Sequence, residues 1–249
     1  MRFLEEHRRR PAALADHLPW AALVAPGVVL NKDGSFTTAL RFRGPDLESS
    51  TEDELMAVRA RLNNALKRLG TGWCLHVEAR RRSAEPYPES VFDLDAAWLL
   101  DAERRDRFDS ADPAFETDFR LALTWLPPAD ETRTLERWLF DGLAKGGQDW
   151  RLSLEAFRRE TGVVTDLLAD ALPEIDRLGD AELLTWLHDT VSPRPFRIEP
   201  PDTPVFLDAW LADAALTGGM APRLGDQWLK VVSVRGLPSV TRPGLLDAL

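Results

Sequence analysis

The stretch from Leu18 to Asp46, LPWAALVAPGVVLNKDGSFTTALRFRGPD, limits what this chain can fold into more than any other segment. Val28-Val29-Leu30 is a β-branched, apolar run, and Phe36 to Arg43 alternates at period two. Between them Asn31-Lys32-Asp33-Gly34 carries an Asp-Gly pair suited to the positive φ angles of a tight primed turn. The segment predicts a β-hairpin. On its second strand Phe36, Thr38, Leu40 and Phe42 share one face, while Thr37, Ala39, Arg41 and Arg43 share the other. The first face is expected on a core and the second towards water or a partner.

A capping box follows at Thr51-Glu52-Asp53-Glu54, with Thr51 as N-cap. Leu55, Val58, Leu62, Ala65, Leu66 and Leu69 then recur at helical spacing, and Gly70 stands where a left-handed C-cap is wanted. The exposed face of this helix is basic, with Arg59, Arg61, Lys67 and Arg68. Trp73 to Ala79 alternates as a strand, after which Arg80-Arg81-Arg82 opens a polar, proline-bearing loop to Glu89. A helix over Asp93 to Phe108 and a strand over Phe115 to Trp125, stopped by Pro127-Pro128, complete the pattern. Residues 1–128 therefore predict an α+β domain, a mainly antiparallel sheet with helices on one face.

From Asp130 the periodicity becomes helical. Leu135 to Leu143, Asp149 to Leu172 and Asp180 to Val191, the last with Asp180 as N-cap, predict a helical insertion or subdomain over residues 129–192. Residues 193–249 read as a proline-rich connector and a return to mixed α/β structure. The closing Thr241-Arg242-Pro243-Gly244-Leu245-Leu246-Asp247-Ala248-Leu249 reads as a helix start stopped after about one turn, as expected of a truncated chain.

Composition narrows the functional classes. A formal net charge of −10 argues against a dedicated nucleic-acid or anionic-membrane binder, because the summed charge repels phosphate. The single cysteine, Cys74, leaves no internal disulfide framework and fits a reducing compartment. The longest apolar run, near Trp20 to Leu30, is too short to span a bilayer, so no transmembrane segment is expected. Cys74 and His76 share a strand face without the further ligands a metal needs. The sequence holds no G-x-x-x-x-G-K-[ST], indeed no Gly-Lys pair, and no G-x-S-x-G or H-E-x-x-H. No catalytic, nucleotide-binding, metal or cofactor residue is assigned, and a free-standing enzyme is not expected. Among nine tryptophans, Trp20 and Trp150 lie at element edges and read as candidate exposed interface anchors. With Trp20, the hairpin's polar face of Thr37, Arg41 and Arg43 forms the candidate partner surface.

An ordered set of segments carries a resemblance. It comprises Arg8-Arg9-Arg10-Pro11, Leu14 to Trp20, ALVAPGVVLNKDGSF, Arg61 to Leu66, Gly72-Trp73 and His76 to Ala79. It continues with LTWLPP from Leu123, LTWLHDTVS from Leu184, LTGGMAPRLGD from Leu216 and the terminal TRPGLLDAL. Together these resemble the N-terminal portion of the TrbE/CagE/VirB family of type IV secretion ATPases, on its conjugal-transfer side. The resemblance implies a non-catalytic assembly and docking domain on the cytoplasmic side of a bacterial inner membrane. In that family a RecA-like motor domain follows and uses ATP and Mg, commonly as a hexamer, to drive pilus assembly and DNA transfer. The implied partners are further copies of the chain, a small inner-membrane component of TrbD type and other secretion-system subunits. The alternative expectation is a DNA-contacting domain of the same machine, working through the basic helix face and Arg80 to Arg82.

Overall fold

Residues 20–43 form three antiparallel strands where the sequence pattern predicted two. In the computed structural model, which describes residues 13–46, 49–110, 115–128, 149–201, 203–233 and 236, β1 covers Trp20–Ala25, β2 Val28–Asn31 and β3 Phe36–Arg43. Pro26-Gly27 turns β1 into β2, with Gly27 at φ 67, the positive value that the third residue of a type II turn demands. The β2–β3 connection is not a primed turn. Asn31 N–H donates to the Ser35 carbonyl at 2.8 Å, leaving a three-residue loop in which Gly34 takes φ 81 and no non-glycine residue is positive. That is the turn-plus-bulge solution, which needs one left-handed residue rather than two.

Helix α2, Glu52–Leu66, begins as predicted: Glu54 N–H donates to the Thr51 hydroxyl, and Thr51 N–H donates to the Glu54 carboxylate at 2.8 Å. The Thr51 backbone N–H, then its hydroxyl, hold the Glu54 carboxyl below its ordinary pKa. A lowered folded-state pKa means this capping contribution is present above the ordinary glutamate range and fades as pH falls through the folded value. Thr51→Ala is expected to cost about 1 kcal/mol in chemical denaturation at neutral pH, and less in acid.

Strand β4 runs Trp73–Ser83 and β5 Phe115–Trp125, paired antiparallel along their whole lengths. Arg80 to Arg82 therefore continue the strand instead of opening a loop, because each finds a partner residue on β5. Helix α3, Asp95–Ser110, joins the two strands. Helix α4 covers Asp149–Ala169 without a break at Gly162, β6 covers Glu174–Arg177, α5 Asp180–Asp189 and α6 Leu207–Leu211, with α1 at Leu14–His17. The sheet order is β1-β2-β3-β5-β4, and the short β6 pairs with the second half of β3 beside β2. A three-stranded sheet, β7 Leu216–Thr217, β8 Arg223–Leu224 and β9 Gln227–Trp228, lies apart in sequence order. The expected helix at Leu135 to Leu143, the opening arginines and the terminal TRPGLLDAL lie outside the described residues.

The fold is α+β with a mainly antiparallel sheet, but helices cover both faces rather than one. Val28, Leu30 and Phe36 pack with Leu154 and Phe157 of α4, and Leu40, Leu121 and Leu123 pack with Ala65, Val164 and Leu168. On the opposite face Val29, Ala39 and Ala122 pack with Leu183, Leu184 and Leu187 of α5 and with Leu207 and Leu211 of α6. The described part of the 129–192 segment thus completes the core of the sheet. The alternation of Thr, Ala and Arg predicts a wet face, yet Ala39 and Ala122 are small enough for a helix to lie directly on them. The proline-rich segment is tied down too. Ile198 is buried, and its N–H donates to the Thr185 hydroxyl at 2.9 Å.

Candidate docking surface

Of the four residues that the sequence proposed as a partner surface, two are inside. Trp20 is 8% exposed, packed in one cluster with Leu14, Leu18, Leu207 and Leu211. Thr37 is 6% exposed, its hydroxyl 2.8 Å from the Asn31 amide nitrogen and 2.9 Å from the Thr124 hydroxyl. Both are corrections. The edge tryptophan is covered by α1 and α6, and the threonine on the expected wet face is tolerated inside because its hydroxyl finds partners. Trp150, the other expected anchor, packs against the Phe36–Phe157 cluster.

Arg41 and Arg43 are exposed, as expected of a surface. Each is also engaged within the chain: Arg41 lies 3.4 Å from Asp176 and 3.6 Å from Glu182, and Arg43 lies 3.5 Å from Glu174. The pairing of β6 with β3 brings Glu174 and Asp176 alongside. Such solvated pairs contribute little stability, about 0.2–1 kcal/mol each, so they do not lock the arginines against a competing partner.

Beside them α5 and the β4–β5 face enclose a charged groove of about 490 Å³, lined by Glu78, Arg80, Arg82, Asp118, Arg120, Glu182, Trp186, Asp189 and Arg197 among others. Arg80 pairs with Asp189 at 3.1 Å, and Trp186 Nε1 donates to Glu78 at 2.5 Å. Arg82 lies 3.3 Å from Asp118, and Arg81 stacks 4.2 Å over the Phe115 ring. The three consecutive arginines therefore each have a partner within the chain. Buried His188 sits 3.1 Å from Asp213, which also accepts the Ser192 hydroxyl at 3.0 Å. This network clamps α5 between the edge strand and the 213 loop. Nothing in the sequence joined these positions, because Trp186 and Glu78 are 108 residues apart and no local spacing links them.

Cys74 and His76 do lie together, with Sγ 3.7 Å from Nε2. Among the described residues no group of three metal-ligating side chains forms.

Among the described residues the largest feature left unburied is α3. None of its residues is buried, and Trp98, Leu99 and Leu100 are each at least 60% exposed. Its anchorage is local: the Tyr87 hydroxyl donates to Asp101 at 2.7 Å, and the Tyr87 ring meets Phe108. That hydrogen bond to Asp101 raises the Tyr87 pKa, so the phenol stays protonated and keeps donating. An exposed helix carrying a tryptophan and adjoining leucines is surface that a monomer does not need. In sequence the same residues read as an ordinary helix, since arginines and acids interrupt any clean apolar stripe. Among the described residues no helix is long and apolar enough to cross a membrane.

Comparison with known proteins gives a consistent result. A family model described as the type IV secretion system ATPase VirB4/TrbE, N-terminal domain, matches residues 27–133. The chain is 33% identical over 264 aligned positions to the "Conjugal transfer protein TrbE" of Rhizobium radiobacter, covering 99% of this chain and 32% of that protein. In Sinorhizobium fredii a probable conjugal transfer protein TrbE is named as two pieces, and both are similar to this chain. The first piece is 39% identical over 127 positions, covering 50% of this chain and 85% of its own length. The second is 35% identical over 68 positions, covering 27% of this chain and 10% of its own length. The chain thus spans about a third of the length of the Rhizobium radiobacter relative.

Proposed function

The chain belongs to the VirB4/TrbE family of type IV secretion ATPases, as an N-terminal domain, and from that premise we propose that it is the assembly and docking domain of a conjugal-transfer motor. It anchors the motor, on the cytoplasmic side, to the inner-membrane complex through a small membrane component of TrbD type. In this reading ATP and Mg belong to the RecA-like motor of the full-length parent, which works as a hexamer.

One observation carries the choice of surface. Helix α3 stands outside all three core clusters and, with Leu94 just before it, presents Trp98, Leu99 and Leu100 to solvent. Interfaces are enriched in tryptophan, and a few such anchors dominate binding energy. Because α3 is unburied, its surface can be changed without dismantling the core.

The test is binding of the chain to the TrbD-type component reconstituted in nanodiscs. Trp98→Asp with Leu99→Asp is expected to weaken binding at least about tenfold, the loss of one interface anchor or more, with an unchanged melting temperature. Equal binding by the wild-type chain and this variant would sink the assignment. If the chain instead shifted DNA at low salt, and lost it as salt rose, the DNA-contacting alternative would take its place.

A further inference from the structure

Among the described residues the sheet ends at β4, with no strand on its outer edge. β4 pairs with β5 from Trp73 to Ser83 without a register shift, and among the described residues no strand lies on its other side. Proteins usually blunt such edges with a bulge, a proline, a covering element or a run of charge. Between Cys74 and Ala79 this edge has no proline, no bulge and a single charge, Glu78. On the face towards α2 and α4, Trp73 packs against Phe157 at the start of the strand, but Val77 is 68% exposed and Leu75 38% exposed.

The strand is its own complement. In an antiparallel pair, opposed residues point to the same side of the sheet, so two copies of β4 related by a twofold axis must centre on a residue. Centring on Glu78 or Arg80 opposes like charges at the axis, which is unfavourable. Centring on Ala79 sets Val77 against Arg81. Centring on Val77 opposes Val77 to Val77 and Leu75 to Ala79, closing one apolar stripe. It also sets Glu78 against His76 and Arg81 against Trp73, so that no arginine faces an arginine.

We propose that β4 is a homodimer interface, pairing antiparallel with β4 of a second copy about Val77 to make one continuous sheet across two chains. The pairing satisfies the free main-chain groups of both edges and buries Val77 and Leu75 together. It stands on the sheet edge alone and does not rest on the docking role of α3.

The experiment uses the full chain with Cys74→Ser, which removes the native thiol. In that background Val77→Cys places two sulfurs opposite each other at the axis, within about 4.5–5.5 Å between β-carbons. Ala79→Cys places them roughly 13 Å apart along the strands. Light scattering is expected to give twice the single-chain mass. Mild oxidation should link Val77→Cys at least about tenfold faster than Ala79→Cys, given that separation. Val77→Lys, a like-charge pair at the axis on an exposed position, should return the chain to single-chain mass with its circular dichroism spectrum kept. A wild-type chain of single mass at about 100 μM, where even weak specific pairs associate, would overturn the proposal. So would equal linking at positions 77 and 79. The α3 variant used for docking should dimerise normally, so the two ideas fail separately.

Discussion

Phe157→Ala is expected to lower the unfolding free energy by about 3–5 kcal/mol, a large share of what a domain of this kind has to lose. The Phe157 ring is fully buried, with its centroid 5.7 Å from that of Phe36 and 5.6 Å from that of Trp73. It therefore joins α4 to β3 and β4 at once. Deleting it removes the transfer energy of the ring and leaves a cavity between a helix and two strands whose backbones cannot collapse into it. Leu152→Ala, on the same helix at 61% exposed, is the matched control and should change stability by less than about 0.5 kcal/mol. Urea denaturation followed by tryptophan fluorescence and by circular dichroism reads both. Equal, small effects for the two variants would mean that α4 does not share the sheet's core.

Gly27→Ala carries the second large effect, about 2–4 kcal/mol from a left-handed backbone penalty and a forced shift of packed backbone. Gly27 sits at φ 67, and a β-carbon there would come 2.8 Å from the Leu178 carbonyl oxygen. The residue also holds two elements together. Its N–H donates to Asp180 at the start of α5, and its carbonyl accepts the Thr38 hydroxyl at 2.7 Å. Asp180, expected to cap α5, is instead its first residue, with Gly179 as N-cap. Its carboxylate serves the β1–β2 turn. Moving Gly27 therefore disturbs the turn, β3 and the seating of α5 together. Gly162→Ala supplies a control of opposite sign. It lies inside α4 with nothing within 4 Å of a new β-carbon, so alanine should stabilise by about 0.5–1 kcal/mol. Thermal melts of the two variants should move in opposite directions, and a neutral Gly27→Ala would contradict the close approach to Leu178.

The exposure of the hairpin's polar face was legible in part. Arg41 and Arg43 are exposed where period-two alternation put them, because a strand's alternation is a property of its own backbone. Their acidic neighbours Glu174, Asp176 and Glu182 were not legible. β6 has one apolar residue, Ile175, in four, too little pattern to announce a strand, and Asp176 lies 135 residues from Arg41. α3 was placed within two residues of its bounds, yet its isolation was hidden. Exposure depends on what else packs there, and helical spacing carries no record of that.

Local devices could be read directly from the order of residues. These are the capping box at Thr51 and Glu54, Gly34 in the β2–β3 connection, and the alternating strands of a mainly antiparallel sheet, whereas Gly70, expected as a left-handed C-cap, is not at positive φ and Gly72 is. Each is decided within a few residues by hydrogen-bond reach and backbone sterics. Which faces stay wet was settled by long-range packing instead. Thr37 became core because the Asn31 side chain and the Thr124 hydroxyl satisfy its hydroxyl, and Ala39 became core because α5 lies over it. Trp98 and Val77, apolar and outwardly ordinary, stayed in solvent because they stand outside the core clusters that the packed helices form.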